Sequence, residues 1–562
     1  MKMRKRAAAL LTAIVLCCTV LSACGKDGEG MTLTAALASI PESLDPIYAQ
    51  SVSEQTMIVH LYENLMRVGV DATGAATAVS GIAKSVDQEA NTDGTVTYTF
   101  RLRSAKWSDG HAVKASDFVY AWQRLADPQN ASPFASLLRV VSGFEEAREN
   151  DDMSLLQVTA KNDTTLVVTL TGNYDWFLTD VCAAPATMPV RQDVVGQVVS
   201  LGQEAPAEAT ELAAAEEPWW SDPTALVVNG PYAVESYEAG TSAHLVSNVE
   251  YYGHDKHTGP AAIDLRFTAT AEEGEALYHA KEADVVWPLS AESITALAED
   301  ETWAAIPTLS TDTLLMNCAA APFQDQSIRQ AVVKALDRNA IAAVAGVDAS
   351  AADGLVPYGV PDDDGEEDFR TCGGALVDNE LYAQNCTQAQ EILSAAGYDS
   401  GAELGELEYL YVDESSSALV AEEVCRQLRT VLQLQVTPKA MTEEEFAQAL
   451  ESGEFTLAGM EVTGLCNDAE SFLMGWTSDS PENVMGYENT AYDTLMSIIA
   501  TAKEGTARLG CLHDAEVLLL DDAPLTPLYT RGTAWEMREE FIGAIRDARG
   551  FFSFTNVVTR TA

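Results

Sequence analysis

The residue patterns that enzymes use for covalent or metal chemistry are missing from this sequence of 562 residues. It contains no GxSxG, HExxH or GxxxxGK(S/T) pattern, which would position a serine nucleophile, zinc ligands or a phosphate-binding loop. His254 and His257 have metal-like spacing, but no third ligand can be named, and a solvated turn is the simpler interpretation. We therefore predict no catalytic residue, no metal, no cofactor, and a protein that is not an enzyme.

Carboxylates and thiols give no stronger signal for a site. The acidic run Pro361–Asp368 lacks the alternating ligand spacing of an EF-hand loop, so we interpret it as a solvated loop. Seven cysteines follow residue 24, and an odd number over so long a chain is not a disulfide framework. Cys372 and Cys386 fall in one predicted loop, and whether they form a disulfide stays open.

The N-terminus has the pattern of a bacterial lipoprotein signal. Basic residues in 1–6 precede an apolar run, Ala7–Val20, which is too short to span a bilayer. The following Leu21–Cys24 resembles a lipobox, which implies cleavage after residue 23 and lipid attachment to Cys24. Residues 24–30 would then be a tether that holds the protein on the outer face of the cell membrane. The alternative is an ordinary secretory cleavage site with a stray cysteine.

The charge balance excludes one class of partner. The chain has 33 basic and 85 acidic residues, a formal net charge of −52. Removing residues 1–23 removes four basic residues and no acidic one, which gives −56. Because such a surface repels phosphate backbones, we expect no nucleic-acid partner.

The elements around these residues indicate an α/β protein. Alternating apolar residues predict a strand over Val96–Leu102, and Gly110 predicts a turn after it. Ser116 is then the predicted N-cap of a helix that ends at Pro128. Further strands are predicted over Thr165–Leu170 and Leu407–Val412, and one amphipathic helix over Ser327–Val344. Thr387 with Gln390, and Thr442 with Glu445, have the spacing of capping boxes that open helices.

Several stretches in the same order resemble one family. The sequence is similar to the peptide/oligopeptide/nickel family of ABC-transporter solute-binding lipoproteins, closest to its oligopeptide-binding branch. The resemblance covers residues 32–562, and the matching stretches include Ser43–Pro46, Leu61–Leu65, Ala105–Gly110, Ala115–Pro128, Ser132–Ser136, Asn229–Tyr232 and Ala335–Arg338.

This resemblance implies an α/β, two-lobe periplasmic-binding-protein-like fold (type II, cluster C) with an extra inserted domain and a two-segment hinge. Residues 31–63, 187–309 and 525–562 would form domain I, a ligand lobe. Residues 64–186 would form domain II, the inserted domain, and residues 310–524 domain III, the opposing ligand lobe. The chain would cross between lobes near residues 310 and 524.

The resemblance also implies how a ligand is held. A peptide main chain would add to a strand edge at Ala49–Val52, which includes Gln50, and to a second edge at Gly464, Leu465 and Cys466. Asp468 would bind the peptide ammonium group, and the alternative is that Asp468 caps a nearby helix. Tyr120 matches a cleft-facing tyrosine of the family. Trp476 and Tyr529 are further ligand-binding candidates, for which core positions are an equally good interpretation. Departures from the family pattern at Val462 and Leu465 leave the ligand preference open.

The implied function is peptide capture outside the cell, with delivery to the membrane subunits of an ABC permease. The protein would bind oligopeptides as a monomer. A dipeptide, a murein peptide or a signalling peptide is the alternative ligand. A surface hydrolase is the alternative from another class.

Overall fold

The computed structural model describes residues 30–70, 76–174, 176–196, 218–297, 305–362, 367–413, 416–501 and 506–560. The predicted signal peptide, Cys24 and the tether up to residue 29 lie outside these ranges, as do residues 363–366 of the acidic run. None of the helices in the described ranges combines the length and apolar character that a membrane crossing requires.

Strands are distributed along the whole described chain. In chain order they are β1 Thr32–Leu37, β2 Met66–Val70, β3 Ala76–Ser80, β4 Ala83–Ala90, β5 Val96–Leu102, β6 Val158–Asn162, β7 Thr165–Leu170, β8 Tyr232–Glu238, β9 Ser242–Ser247, β10 Ala262–Phe267, β11 Val285–Trp287, β12 Ile306–Met316, β13 Ala349–Ala351, β14 Glu406–Val412, β15 Gln435–Met441, β16 Leu457–Thr463, β17 Leu525–Thr533, β18 Glu536–Met537, β19 Phe541–Ile542, β20 Ile545–Arg546, β21 Phe552–Ser553 and β22 Val558–Thr559.

The α-helices are concentrated in the second half of the chain. In chain order they are α1 Val52–Leu61, α2 Ala115–Ala126, α3 Phe144–Glu149, α4 Gln192–Val195, α5 Ala271–His279, α6 Ala291–Leu297, α7 Gln326–Lys334, α8 Arg338–Ala345, α9 Phe369–Gly373, α10 Tyr382–Ala395, α11 Ser417–Val431, α12 Glu443–Glu451, α13 Glu470–Leu473, α14 Thr490–Thr501 and α15 Thr506–Asp522.

Three sheets of four or six strands organise these elements, and the pairs β2-β3, β19-β22 and β20-β21 form two-stranded sheets. The first sheet has the order β18-β11-β1-β10-β9-β8, in which β1 runs parallel to β10 and β11. A four-stranded antiparallel sheet, β4-β5-β7-β6, lies within the range predicted as the inserted domain. The second sheet has the order β13-β17-β12-β16-β14-β15. The mixed α/β architecture agrees with the predicted fold class.

The second sheet is the middle layer of a three-layer lobe. Leu314 and Met316 of β12 face one core, to which α7, α8, α10 and α11 contribute. Leu315 faces the other core, which contains apolar residues of α12, α13, α14 and α15. This alternation follows from the two-residue period of a strand, and it explains why the central strands are apolar on both faces.

Strands β12 and β17 lie side by side in the second sheet. β12 already begins at Ile306, and β17 keeps residues 525–533 in the second sheet by pairing antiparallel with β12 from Leu525 to Thr533. β18, at Glu536–Met537, pairs with β11 of the first sheet. The domain boundaries that the resemblance implies, including the crossings near residues 310 and 524, stay predictions.

The local predictions from capping patterns had mixed outcomes. The strands at β5, β7 and β14 and the capping box at Thr442 are confirmed. The helix predicted over residues 327–344 is two helices, because Asp337 caps α8 by accepting a hydrogen bond from the backbone of Ala340. The capping box at Thr387 is wrong, since α10 begins at Tyr382 and Thr387 lies inside it.

The strand-turn-helix segment after β5 has the predicted form with one correction. Gly110 adopts a φ of 88°, and α2 ends at Ala126, directly before Asp127 and Pro128. The N-cap is Lys114 rather than Ser116. Asp117 accepts hydrogen bonds from the Lys114 backbone at 2.9 Å and from the Trp107 indole at 3.1 Å, which starts the helix earlier.

Candidate ligand-binding cleft

A cavity of about 770 Å³ lies where segments of the three predicted domains meet. This volume is within the range of about 300–1,000 Å³ that is typical of small-ligand sites. The apolar part of its wall includes Val52, Phe134, Leu137, Trp287, Leu309 and Leu465. Its charged side chains are Glu461, Arg546 and Arg549.

One wall comes from the segment that precedes α1. Gln50 and Val52 line the cavity, but residues 49–52 are not a strand, because α1 begins at Val52 and Ser51 is its N-cap. The Glu54 carboxylate accepts hydrogen bonds from the backbones of both Gln50 and Ser51, each at 2.8 Å. The predicted strand edge here is therefore wrong, since these N–H groups already have an intramolecular acceptor.

The opposite wall is the end of β16 and the residues after it. Glu461, Thr463, Gly464 and Leu465 line the cavity. The backbone N–H of Gly464 donates to the carbonyl of Leu309 at 2.8 Å, so this predicted edge is also partly engaged. A side chain at Gly464 would place its Cβ 2.5 Å from the Phe472 ring, and only glycine allows this approach.

Cys466 and Asp468 are not among the residues that line the 770 Å³ cavity. Cys466 is buried in the core shared with the first sheet, and burial raises the pKa of its thiol. Asp468 pairs with Arg508 at 2.8 Å and accepts the backbone N–H of Glu470 at 2.8 Å, at the start of α13. The carboxylate thus makes the helix-end contact that was the alternative to binding an ammonium group.

Arg508 is shared between two carboxylates. It pairs with Glu470 at 2.7 Å as well as with Asp468, and the two acids together raise the pKa of the Arg508 guanidinium against the effect of burial. Burial raises the pKa of Glu470, and Arg508 partly opposes this shift. The cluster is a structural ion-pair network in which each charge has a partner.

All three aromatic candidates have buried core positions. Tyr120 is buried on α2 within the first core, and Trp476 is buried and donates its indole N–H to the Phe472 carbonyl at 2.8 Å. Neither contributes to the wall of the 770 Å³ cavity. Tyr529 of β17 is buried in the core that α7, α8, α10 and α11 form with the second sheet, and it also lines a second cavity of about 840 Å³.

The second cavity adjoins the first through Glu461, which lines both. It also contains Asp312, Asp348 and Arg531, and Arg531 pairs with Asp348 at 3.1 Å. Burial and the neighbouring Glu461 raise the pKa of Asp312 to about 6. Glu461 itself has no ion-pair partner among the residues that the structure describes.

The range predicted as the inserted domain contacts the opposing lobe through residues outside the cavity lining. The Asp180 carboxylate accepts the backbone N–H of Asn467 at 2.8 Å, and Arg139 forms an ion pair with Glu482. The Trp176 indole lies 3.4 Å from a Glu470 oxygen. These contacts join the inserted domain to the opposing lobe without crossing the cavity.

The histidine pair has hydrogen-bond partners of its own. His254 contacts the Ser247 hydroxyl at 3.2 Å, and His257 contacts the Tyr232 hydroxyl at 2.9 Å. Across the described ranges, no group of three or more potential metal ligands comes together. Every cysteine in those ranges, including Cys372 and Cys386, is a free thiol.

Comparison with known families decides what kind of cleft this is. The family model for the middle region of bacterial extracellular solute-binding proteins, family 5, matches residues 77–483. The chain belongs to family 5. The resemblance seen in the sequence is therefore confirmed, and with it the two-lobe fold.

Individual relatives in family 5 match over most of their length. The probable deoxycholate-binding periplasmic protein YgiS of Escherichia coli is 29% identical over 87% of this chain and 86% of its own. The oligopeptide-binding protein OppA of Bacillus subtilis is 26% identical over 98% of this chain and 99% of its own. The structure of the E. coli murein tripeptide binding protein MppA superposes with a TM-score of 0.72 at 23% identity, over 95% and 99% of the two chains.

The sequence reasoning missed several residues of the family 5 cleft. Phe134, Trp287, Glu461 and Arg546 line the cavity but were not predicted as site residues. Arg546 and Trp287 come from segments that meet only in the tertiary structure. The one available local signal was the turn pattern in Asp547–Gly550, which brings Arg546 back towards the chain that follows.

Proposed function

We propose that this protein captures short peptides in the 770 Å³ cleft and delivers them to the membrane subunits of an ABC importer. The observation that carries the proposal is that a family 5 chain has a largely apolar cavity with a few separated charges between its lobes. Relatives described as binding oligopeptides, dipeptides and murein peptides support a peptide as the ligand. The protein acts as a monomer held at the membrane by a lipid on Cys24.

The division into domains is part of this proposal. Domain I and domain II form one side of the cleft, domain III with β17 forms the other, and the lobes close on the ligand by hinge motion at the two crossings. The core that spans the first sheet and the inserted domain supports treating them as one body.

The peptide ammonium group binds a carboxylate on the β16 wall. Asp468 is the candidate from the sequence, but the Arg508 pair and the α13 backbone occupy it. Glu461 lines the cavity, is exposed and has no ion pair in the described ranges, so the geometry favours Glu461. Such a charge-assisted contact contributes about 10- to 100-fold in affinity.

Calorimetric titration of a panel of synthetic peptides of two to six residues, each with a free or acetylated N-terminus, tests this proposal. We expect the free-amine forms to bind at least about 10-fold more tightly. Glu461→Gln should remove that difference, whereas Asp468→Asn should weaken both forms alike. Absence of binding by both forms would contradict peptide capture, and loss of the difference only in Asp468→Asn would assign the anchor to Asp468.

A carboxylate-bearing apolar solute is the second candidate ligand. Phe134, Leu137 and Trp287 give the cavity extended apolar walls, and YgiS is described as probably deoxycholate-binding. Competition between deoxycholate and the bound peptide distinguishes the two. We expect peptide to remain bound at equimolar deoxycholate.

A further inference from the structure

The C-terminal hairpin contributes one wall of the cleft. β20 and β21 pair in antiparallel fashion, with Arg546 opposite Phe552. Four residues of this hairpin line the 770 Å³ cavity: Arg546, Ala548, Arg549 and Gly550. Two of the four carry a positive charge, so this wall presents cations to the ligand space.

The Arg549 guanidinium already has hydrogen-bond partners within the protein. Its Nε and Nη2 atoms donate to the two carboxylate oxygens of Asp547 at 2.7 and 2.9 Å. Its Nη1 atom donates to the backbone carbonyl of Asp180 at 3.0 Å. Arg549 therefore fixes the hairpin against the inserted domain and has little capacity left for a ligand.

Arg546 differs from Arg549 in every one of these respects. Throughout the described ranges it forms no ion pair, and its buried Nε atom has no hydrogen-bond partner. Burial lowers the pKa of Arg546 to about 10, with Asp547 partly opposing the shift, so the side chain still carries its charge at neutral pH. Only Nε is buried, however, and the Nη atoms of this partly exposed side chain make no hydrogen bond in the described ranges, so an incoming acceptor can bind them.

The guanidinium lies beside the open part of the cavity. A methyl group at Gly550 would be 3.9 Å from the Arg546 Nη2 atom and 3.7 Å from Val52 Cγ2, and both Gly550 and Val52 line the cavity. Because Gly550 has no side chain, a ligand can approach the Arg546 guanidinium from this side of the cavity. Glu461, on the β16 wall, is beyond ion-pair distance, so no carboxylate of the cavity wall neutralises Arg546.

We propose that Arg546 binds the carboxylate of the ligand. Where the ligand is a peptide, this inference rests on the proposed function. The C-terminal carboxylate of the peptide then binds Arg546 while its ammonium group binds the β16 wall. A guanidinium can hold a carboxylate through two parallel hydrogen bonds, which fixes orientation as well as affinity. The bound peptide then runs from the second sheet towards the C-terminal hairpin.

The test compares Arg546→Gln, Arg546→Lys and a control, Arg101→Gln, which removes an exposed arginine of β5 outside the cavity. The tightest peptide of the synthetic panel is titrated as its free acid and as its C-terminal amide. We expect wild-type protein to prefer the acid by about 10- to 100-fold. Arg546→Gln should bind both forms equally, Arg546→Lys should keep part of the preference, and Arg101→Gln all of it.

Thermal unfolding provides the folding control. Because Arg546 makes no ion pair in the described ranges, Arg546→Gln removes no stabilising contact, and its Tm should not fall below that of the wild type. An unchanged preference for the acid in Arg546→Gln, or no preference in the wild type, would overturn the assignment while leaving peptide capture intact. If the wild type bound deoxycholate but no peptide, the proposed function would be overturned. Loss of that deoxycholate binding in Arg546→Gln would still support a carboxylate site at Arg546.

Discussion

At the scale of single residues, His60 shows how burial fixes a protonation state. Its Nδ1 atom lies 2.6 Å from the Thr56 carbonyl, and its Nε2 atom accepts the backbone N–H of Phe554 at 2.9 Å. These partners require the neutral ring with its proton on Nδ1. Burial accordingly lowers the pKa of His60 to about 4.

This shift predicts acid sensitivity. In the unfolded chain the pKa of histidine is about 6.5, so between pH 6.5 and 4 the unfolded state binds a proton that the folded state does not. The stabilisation is complete above pH 6.5 and is lost as the pH falls towards 4. We expect the wild type to lose about 3 kcal/mol more of its free energy of unfolding over this window than His60→Gln loses.

Urea unfolding at a series of pH values measures both curves. His257, whose pKa burial also lowers, contributes to both proteins, so the difference between the curves isolates His60. Parallel curves for wild type and variant over the window would refute the interpretation.

The binding residues show the limit of inference from a single sequence. Gly464 and Leu465 were predicted as ligand-binding residues, and both line the cavity. That they contact the ligand stays a prediction. Asp468 has the partner Arg508, forty residues later, which no local pattern reveals. Glu461 and Arg546 were missed because what singles them out is the lack of a nearby partner, a property of the tertiary structure.

At the scale of secondary structure, Glu54 organises the segment that leads into α1. Its buried carboxylate accepts four backbone hydrogen bonds, from Glu42 at 2.6 Å, Ser43 at 2.7 Å, and Gln50 and Ser51 at 2.8 Å each. The chain from residue 42 to residue 51 is thereby folded around one side chain. This arrangement positions Gln50 at the cavity wall.

Glu54→Gln is therefore expected to be strongly destabilising. The amide group would face two of the four N–H donors with its own N–H₂, which leaves buried donors unsatisfied at a cost of about 3 kcal/mol. Urea unfolding measures the loss, and weaker peptide binding should accompany it. Ser51→Ala, which removes only the helix cap, should cost about 1 kcal/mol as the matched control. Equal losses in the two variants would argue against the role given to Glu54.

The elements that were predicted correctly are those with short-range causes. Strand β5 is defined by alternation, and α12 by a capping box within four residues. The single helix over residues 327–344 failed because Asp337 offers a second cap in the middle of a continuous apolar stripe. The strand edge at residues 49–52 failed because Ser51 and Glu54 form a capping box instead.

At the scale of the whole molecule, two sheets and an inserted domain enclose one cleft. The sequence predicted the fold class and the family, because the motifs extend along nearly the whole chain. It could not show that β17 pairs with β12, because the two strands are more than 200 residues apart and no local pattern reveals the pairing.

The cleft's separated charges fit a zwitterionic ligand better than a uniformly charged one. Glu461 lies on the wall formed by the second sheet, and Arg546 lies on the hairpin wall. Apolar residues such as Phe134 and Trp287 lie along the same cavity and accommodate side chains without strict selection. A short peptide with both termini free has this distribution of charge.

Mass spectrometry of what the purified protein retains from a complex peptide digest tests the central claim most directly. The protein is mixed with the digest, passed through gel filtration and denatured, and the released molecules are identified. The account predicts intact peptides, up to one per protein molecule, with free amino and carboxyl termini. Retention of no peptide, or release of peptides cleaved during the incubation, would contradict it.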